Sequence, residues 1–259
     1  DAYLKVVDQI FQMAVASDAV CLKSTQAYQR TLRYENVPQC RAAEVFGKLK
    51  DSITAEEQKD FEDFMFWHVT KLSAKYELPF QIHTGHGRLQ GSSPMMLLDL
   101  IQANPDTKFV LFHGGFPWVG ETGAIAMRHR NVWIDSVWLP TLSYTMAKRA
   151  YQEWLEVMPS NRIMWGADYP HSEGSTPHSR EALRATFAEV PVPETKMMLG
   201  ETAARVYGFD WDHVSALAAD VGPTVAEVHI PLDAFPEGST CGAFDDDLDA
   251  WVFVTLDSD

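Results

Sequence analysis

The chain has 259 residues, 46% hydrophobic and 22% charged, which is ordinary globular composition and enough chain for a full core. Its net charge of −15 argues against a nucleic-acid partner, because phosphate-backbone binding rests on clustered Lys and Arg. Three cysteines, Cys21, Cys40 and Cys241, are too few and too scattered for a disulfide framework. A reducing, cytoplasmic setting is the expectation. No apolar run reaches the roughly 20 residues of a membrane helix.

In chain order, the spacing of Tyr3, Leu4, Val7, Ile10, Phe11 and Ala14 predicts a first helix. AVCLKST (19–25) reads as a strand, and a polar stretch follows. Thr54 opens a long helix to Lys75 with a capping box, since Glu57 stands three residues on. From there strands and helices alternate. PFQIHT (79–84), KFVLFHGG (108–115), NVWIDSV (131–137) and RIMWGADYP (162–170) are strands. Helices are expected from Pro94 to Ala103, over ETGAIAMRHR (121–130), from Tyr144 to Val157, from Ser179 to Val190, and over GETAARVYGF (200–209).

Mostly apolar strands alternating with helices belong to a parallel sheet buried on both faces. The expected fold is α/β, a (β/α)8 barrel over residues 1–209. An open doubly wound sheet is the alternative, weakened because no glycine-rich dinucleotide loop follows any strand. Only five strand candidates are present where a closed barrel needs eight. Residues 210–259 read as an appendage punctuated by Pro and Gly, with a strand-like Ala250–Leu256 and an acidic run at 245–247 that suits a solvated turn.

Parallel barrels carry their chemistry where strands end at the C-terminal edge. Here three strands end in side chains capable of metal binding or proton transfer: His83 in QIHTGH, His113 in FHGG and Asp168 in WGADYP. One buried histidine at a strand end is more often structural than catalytic. Three strand ends of the same kind, each with glycine close by, point to one common site.

The set QIHTG, FHGGFPW, NVWIDSV and RIMWGADYP resembles the amidohydrolase-related family of metal-dependent barrel enzymes. That family includes aminocarboxymuconate semialdehyde decarboxylase, related decarboxylases and lactonases. The resemblance covers about residues 19–208. It implies that His83 is the fifth-strand metal ligand, that His113 is the sixth-strand acid–base or polarising group, and that Asp168 is the eighth-strand aspartate that binds metal and handles a proton. It implies one divalent ion, zinc first and manganese as the alternative. The CLKST segment looks like a fourth strand. Lys23 then stands where some members carry a bridging carboxylated lysine, although a salt bridge or a contact with a substrate carboxylate is the stronger reading. The family's first-strand His-x-His pair has no counterpart before His83. The chain also starts without Met, so strands one to three are expected to lie outside this sequence.

Other residues fill the expected pocket. His86, Trp118, Tyr169 and His171 follow strand ends and could face substrate, while Arg30 and Arg88 could pair with a substrate carboxylate. The expected activity is hydrolysis of an amide, ester or lactone of a small, carboxylated substrate. Metal-dependent decarboxylation is the runner-up, and a barrel that binds ligand without turnover is a third reading. A homo-oligomer is admitted as a partner, a membrane is not.

Overall fold

The structure, a computed structural model, describes residues 1–171 and 174–234. Cys241, the acidic run at 245–247 and the strand expected at 250–256 therefore lie outside the described residues. Five strands form one parallel sheet: β1 (Leu22–Ser24), β2 (Phe80–His83), β3 (Phe109–Phe112), β4 (Val132–Asp135) and β5 (Ile163–Met164). Twelve α-helices stand among the described residues. They are α1 (Ala2–Ala16), α2 (Gln39–Phe46), α3 (Ala55–Lys75), α4 (Leu98–Ala103), α5 (Val119–Arg128), α6 (Leu139–Leu142), α7 (Tyr144–Val157), α8 (Ser179–Phe187), α9 (Val192–Lys196), α10 (Thr202–Tyr207), α11 (Trp211–Val221) and α12 (Val225–Val228).

All five strand segments read from the sequence are strands, each trimmed at its ends. The last is cut to two residues because the chain turns away at Trp165-Gly166, where the Trp165 amide donates to the Met198 carbonyl instead of a neighbouring strand. The capping box at α3 is present: Thr54 Oγ1 accepts from the Glu57 amide at 3.2 Å, and Glu57 accepts from the Thr54 amide at 3.1 Å. The helix expected at Pro94 begins as a 3-10 turn over Pro94–Leu97 and becomes α4 afterwards. Helix α2 lies within the stretch read only as polar. Its inward stripe is only Ala42 and Val45, too short to register as periodic.

The sheet order is β1-β2-β3-β4-β5, the order of the sequence. Parallel neighbours need right-handed crossovers. When every crossover steps the same way, the connecting helices fall on one face of the sheet. A doubly wound sheet must instead reverse direction once. The consecutive order therefore makes this an arc of a (β/α)8 barrel and excludes the doubly wound alternative.

The outer face of the arc carries Phe80, Ile82, Phe109, Leu111, Val132, Ile134 and Ile163, all at most 3% exposed. They pack in one core with Leu100, Ile125, Tyr151, Trp154 and Phe187 from the surrounding helices. Alternation along each strand turns the neighbouring residues to the concave face. There Lys23, Gln81, Val110 and Trp133 form one row in register. His83 with Phe112, and Asp135 with Met164, form the next row toward the C-terminal edge.

Helix α10 lies against this concave face. Val206 clusters with Val110 and Met164, with Phe112, Trp133 and Tyr207 packed alongside. Gln81 Nε2 donates to the Tyr207 hydroxyl at 2.9 Å, a contact spanning 126 positions of sequence. The closing helix thus covers part of the barrel interior. Nor is the described part of the expected appendage, 210–234, detached from the barrel. Val228 is 1% exposed within the main core. Thr195 and His229 are hydrogen-bonded, and Arg184 donates to the carbonyls of Ile230 and Pro231.

Candidate active site

Four strand ends build the site. After β2 the chain runs His83-Thr84-Gly85-His86. Gly85 has φ +67, and a Cβ there would lie 1.9 Å from the Phe116 carbonyl oxygen. Only glycine lets this loop lie directly on the loop that follows β3, where the His86 amide donates to that same carbonyl at 2.9 Å. After β3, His113 adopts φ +63 and is followed by two left-handed glycines. Trp138 adopts φ +71 after β4, and Asp168 φ +58 after β5. Three successive strand ends thus each hold a non-glycine residue in left-handed backbone, at about 1–2 kcal/mol apiece. Such strain persists only where the surroundings impose it, and it concentrates at functional sites.

His83 and His113 are 3% and 4% exposed. His113 Nδ1 lies 2.9 Å from the Val137 carbonyl, and His83 Nε2 lies 3.1 Å from the His86 carbonyl. A carbonyl only accepts, so each of these ring nitrogens carries the hydrogen. The other two nitrogens, His113 Nε2 and His83 Nδ1, face each other at 3.0 Å. In neutral rings both bear lone pairs, and nothing lies between them to be shared. Protonation is disfavoured: burial, helped by the Lys23 charge, pulls His83 down to about 4, against the backbone hydrogen bond that raises it. Burial, with His83 and Lys23, holds His113 well below the usual histidine range.

Two lone pairs aimed at one region, each ring fixed by a carbonyl on its far nitrogen, are how histidine ligands are oriented for a metal ion. The spacing also suits one. Two nitrogens on a single tetrahedral zinc, at about 2.0–2.1 Å each, stand about 3.3 Å apart, close to the 3.0 Å found here. The pair supplies only part of a coordination sphere. Among the described residues no group of three or more His, Cys, Asp or Glu is placed to hold an ion.

Around the pair, the Tyr28 ring packs on His83 at 4.4 Å. Trp138 packs edge-on against both His86 at 4.5 Å and His113 at 5.3 Å. Lys23 is exposed, yet its ammonium reaches up from β1 to lie 3.2 Å from the centre of the Phe112 ring. Partial desolvation pulls it down to about 8, opposed by Asp135 and Asp168. Asp168 therefore shares an electrostatic neighbourhood with Lys23 and Asp135 at this edge. Asp135 is 8% exposed, and burial raises it to about 6.

The remaining expected residues divide. Trp118 is half-buried at the start of α5, and Tyr169 and His171 are exposed in the loop after β5. Arg30 does not face a substrate: its guanidinium is committed to Glu62 at 2.7 Å and to the fully buried Asp63, both on α3. That bidentate anchoring removes it from the candidate site. Arg88 donates to the Gln29 carbonyl at 3.0 Å. Sequence reasoning missed Asp135 and Tyr28. Asp135 could have been found, because NVWID ends on a carboxylate at β4 as QIH ends on an imidazole at β2.

Comparison with known proteins agrees with this fold. The sequence profile described as "Amidohydrolase" matches residues 46–209, more than half of the chain. Protein fluG of Emericella nidulans is 36% identical over 95 residues, covering 35% of this chain and 11% of that protein. A solved structure described as a "putative metal-dependent hydrolase" from Lactobacillus casei ATCC 334 superposes with a TM-score of 0.67 at 27% identity. That match covers 80% of this chain and 60% of that one. Uronate isomerase of Thermotoga maritima, at 17% identity and a TM-score of 0.51 over 69% of this chain and 48% of its own, shares the fold. This chain thus spans about a tenth of the curated relative and about three fifths of the Lactobacillus structure. With its arc of barrel strands and its strand-end histidines, the chain belongs to the amidohydrolase family.

Proposed function

We propose that the C-terminal edge of this sheet is the centre of a metal-dependent hydrolase acting on an amide, ester or lactone of a small, carboxylated substrate. The observation that carries this reading is the His83–His113 pair: two buried neutral imidazoles with facing lone pairs 3.0 Å apart, an arrangement that a cation relieves. A divalent ion held there, zinc by donor type, would polarise the substrate carbonyl or lower the pKa of water. His83 and His113 would hold the ion, and Asp168 would join them. The Asp168 carboxylate accepts the proton of the attacking water and returns it to the leaving group. Lys23, a cation on the concave face beside Phe112, would bind the substrate carboxylate. His86, Trp118, Tyr169 and His171 line the mouth. In this reading the five strands are strands four to eight of the barrel, which puts His83, His113 and Asp168 on the fifth, sixth and eighth. Family membership and the likeness to the Lactobacillus protein support a hydrolase.

The test is metal analysis of the purified chain after incubation with zinc or manganese, together with hydrolysis of an ester and lactone panel. About one ion per chain is expected. His83→Ala should lose metal and turnover together, and full metal occupancy in that variant would remove His83 from the ion.

A further inference from the structure

The turn after β4 does more than end a strand. Asp135 Oδ1 accepts from the Val137 amide at 2.9 Å, an Asx-turn in which a side chain takes the place of a backbone acceptor. The residue between them is fixed from the other side. The Ser136 amide and hydroxyl both donate to the Met164 carbonyl of β5, at 2.8 and 2.9 Å, and the hydroxyl also meets Tyr151 Oη at 2.9 Å. With 135 to 137 so held, the Val137 carbonyl faces His113 Nδ1 at 2.9 Å. Trp138 follows in left-handed backbone, with its ring against His113 and His86. One carboxylate thus holds the carbonyl that selects the His113 tautomer and begins the turn that delivers the Trp138 ring.

From this connection we propose that Asp135 is a positioning residue of the centre: by fixing the Val137 backbone it keeps His113 protonated on Nδ1, leaving the Nε2 lone pair directed at His83 Nδ1. The proposal rests on the reading of His113 as a member of the metal centre. It adds a fourth strand end, that of β4, to the three that sequence singled out. Asp135 acts here as a hydrogen-bond acceptor, and its charge is not what the role requires. Asparagine keeps an acceptor oxygen at the same place, whereas alanine removes it.

The experiment uses the full chain labelled with 15N, as wild type, Asp135→Asn and Asp135→Ala. Histidine ring spectra report the His113 tautomer, and calorimetry with zinc ions reports affinity. Wild type and Asp135→Asn should both show His113 protonated on Nδ1, with zinc affinities within about twofold. Asp135→Ala should mix the tautomers and weaken zinc about tenfold or more, the usual effect of losing an outer partner of a metal-ligating histidine. If Asp135→Ala unfolds, the Asp135→Asn spectra still decide. An Asp135→Asn chain that is folded but has lost the Nδ1 tautomer would overturn the proposal. So would an Asp135→Ala chain that keeps both the tautomer and the wild-type zinc affinity. Failure of wild type to bind zinc would count against the proposed function, while the tautomer comparison would still judge the positioning role.

Discussion

The two faces of this sheet were built under opposite constraints. The outer face is a continuous apolar layer in which Ile82, Phe109, Leu111, Val132, Ile134 and Ile163 are each 0% exposed. The concave face, one residue out of phase on the same strands, carries Lys23, Gln81, His83 and Asp135 among a few apolar neighbours. Burial shifts the first face toward stability alone. On the second it disfavours every charged form present, lowering Lys23 and His83 and raising Asp135. Stability resides on one side of the sheet and is given up on the other, as expected where an active site is preorganised from polar groups.

The comparison breaks most readily at Trp154. Its side chain is 1% exposed, its indole N–H donates to the Val119 carbonyl at 2.8 Å, and Gly123 is glycine because a Cβ would meet its ring at 2.6 Å. Trp154→Ala should cost about 3–5 kcal/mol, read as a fall in the urea midpoint. A loss below about 1 kcal/mol would mean that the outer face is not the chain's main source of stability.

Asp135 gives the next largest effect, with the opposite sign. Its folded pKa of about 6 lies above the ordinary carboxylate value of 3.8, so between these the folded state binds more protons than the unfolded. Stability from this group is present at low pH and is lost as pH rises through about 6. The gap corresponds to roughly 2–3 kcal/mol. In metal-free protein, Asp135→Asn should flatten the stability curve over that window and gain relative to wild type at pH 7. An unchanged slope would show that Asp135 is as well solvated as an exposed carboxylate.

The smallest effect belongs to Lys23. Its pKa, lowered to about 8 from 10.5, means the unfolded chain binds the extra proton between these values, so wild-type stability should rise with pH across that window. Lys23→Met should abolish the rise and, by the same linkage, gain stability relative to wild type at pH 7, a gain kept small because the side chain is exposed and screened. It should raise KM for carboxylated substrates more than for neutral ones. Equal changes for both would take Lys23 out of substrate binding.

Much of this was legible in the residues. Apolar runs of strand length bounded by glycine, such as QIHTG and FHGG, marked where each strand stops. Because parallel strands stop at a common edge, the same runs marked His83 and His113 as neighbours, and their facing ring nitrogens lie 3.0 Å apart. Arg30 was misread for a physical reason: a guanidinium pairs with whatever carboxylate the fold brings near, and Asp63 lies 33 positions away. Helix α2 and the contact of Tyr207 with Gln81 were invisible for the same reason, since each depends on a surface assembled from distant segments.

By itself, then, the sequence determined the local things: strand and helix periods, the capping box at Thr54, and the chemical type of each strand end. Tertiary structure decided the rest. It decided the consecutive strand order that makes the sheet a barrel arc, and the lodging of α10 on the concave face. It also decided the protonation pattern of the histidine pair, because a tautomer is chosen by the acceptor it meets, here the Val137 carbonyl 24 positions away. Periodicity is written within a few residues of chain. The direction of a lone pair depends on which distant backbone the fold sets against the ring.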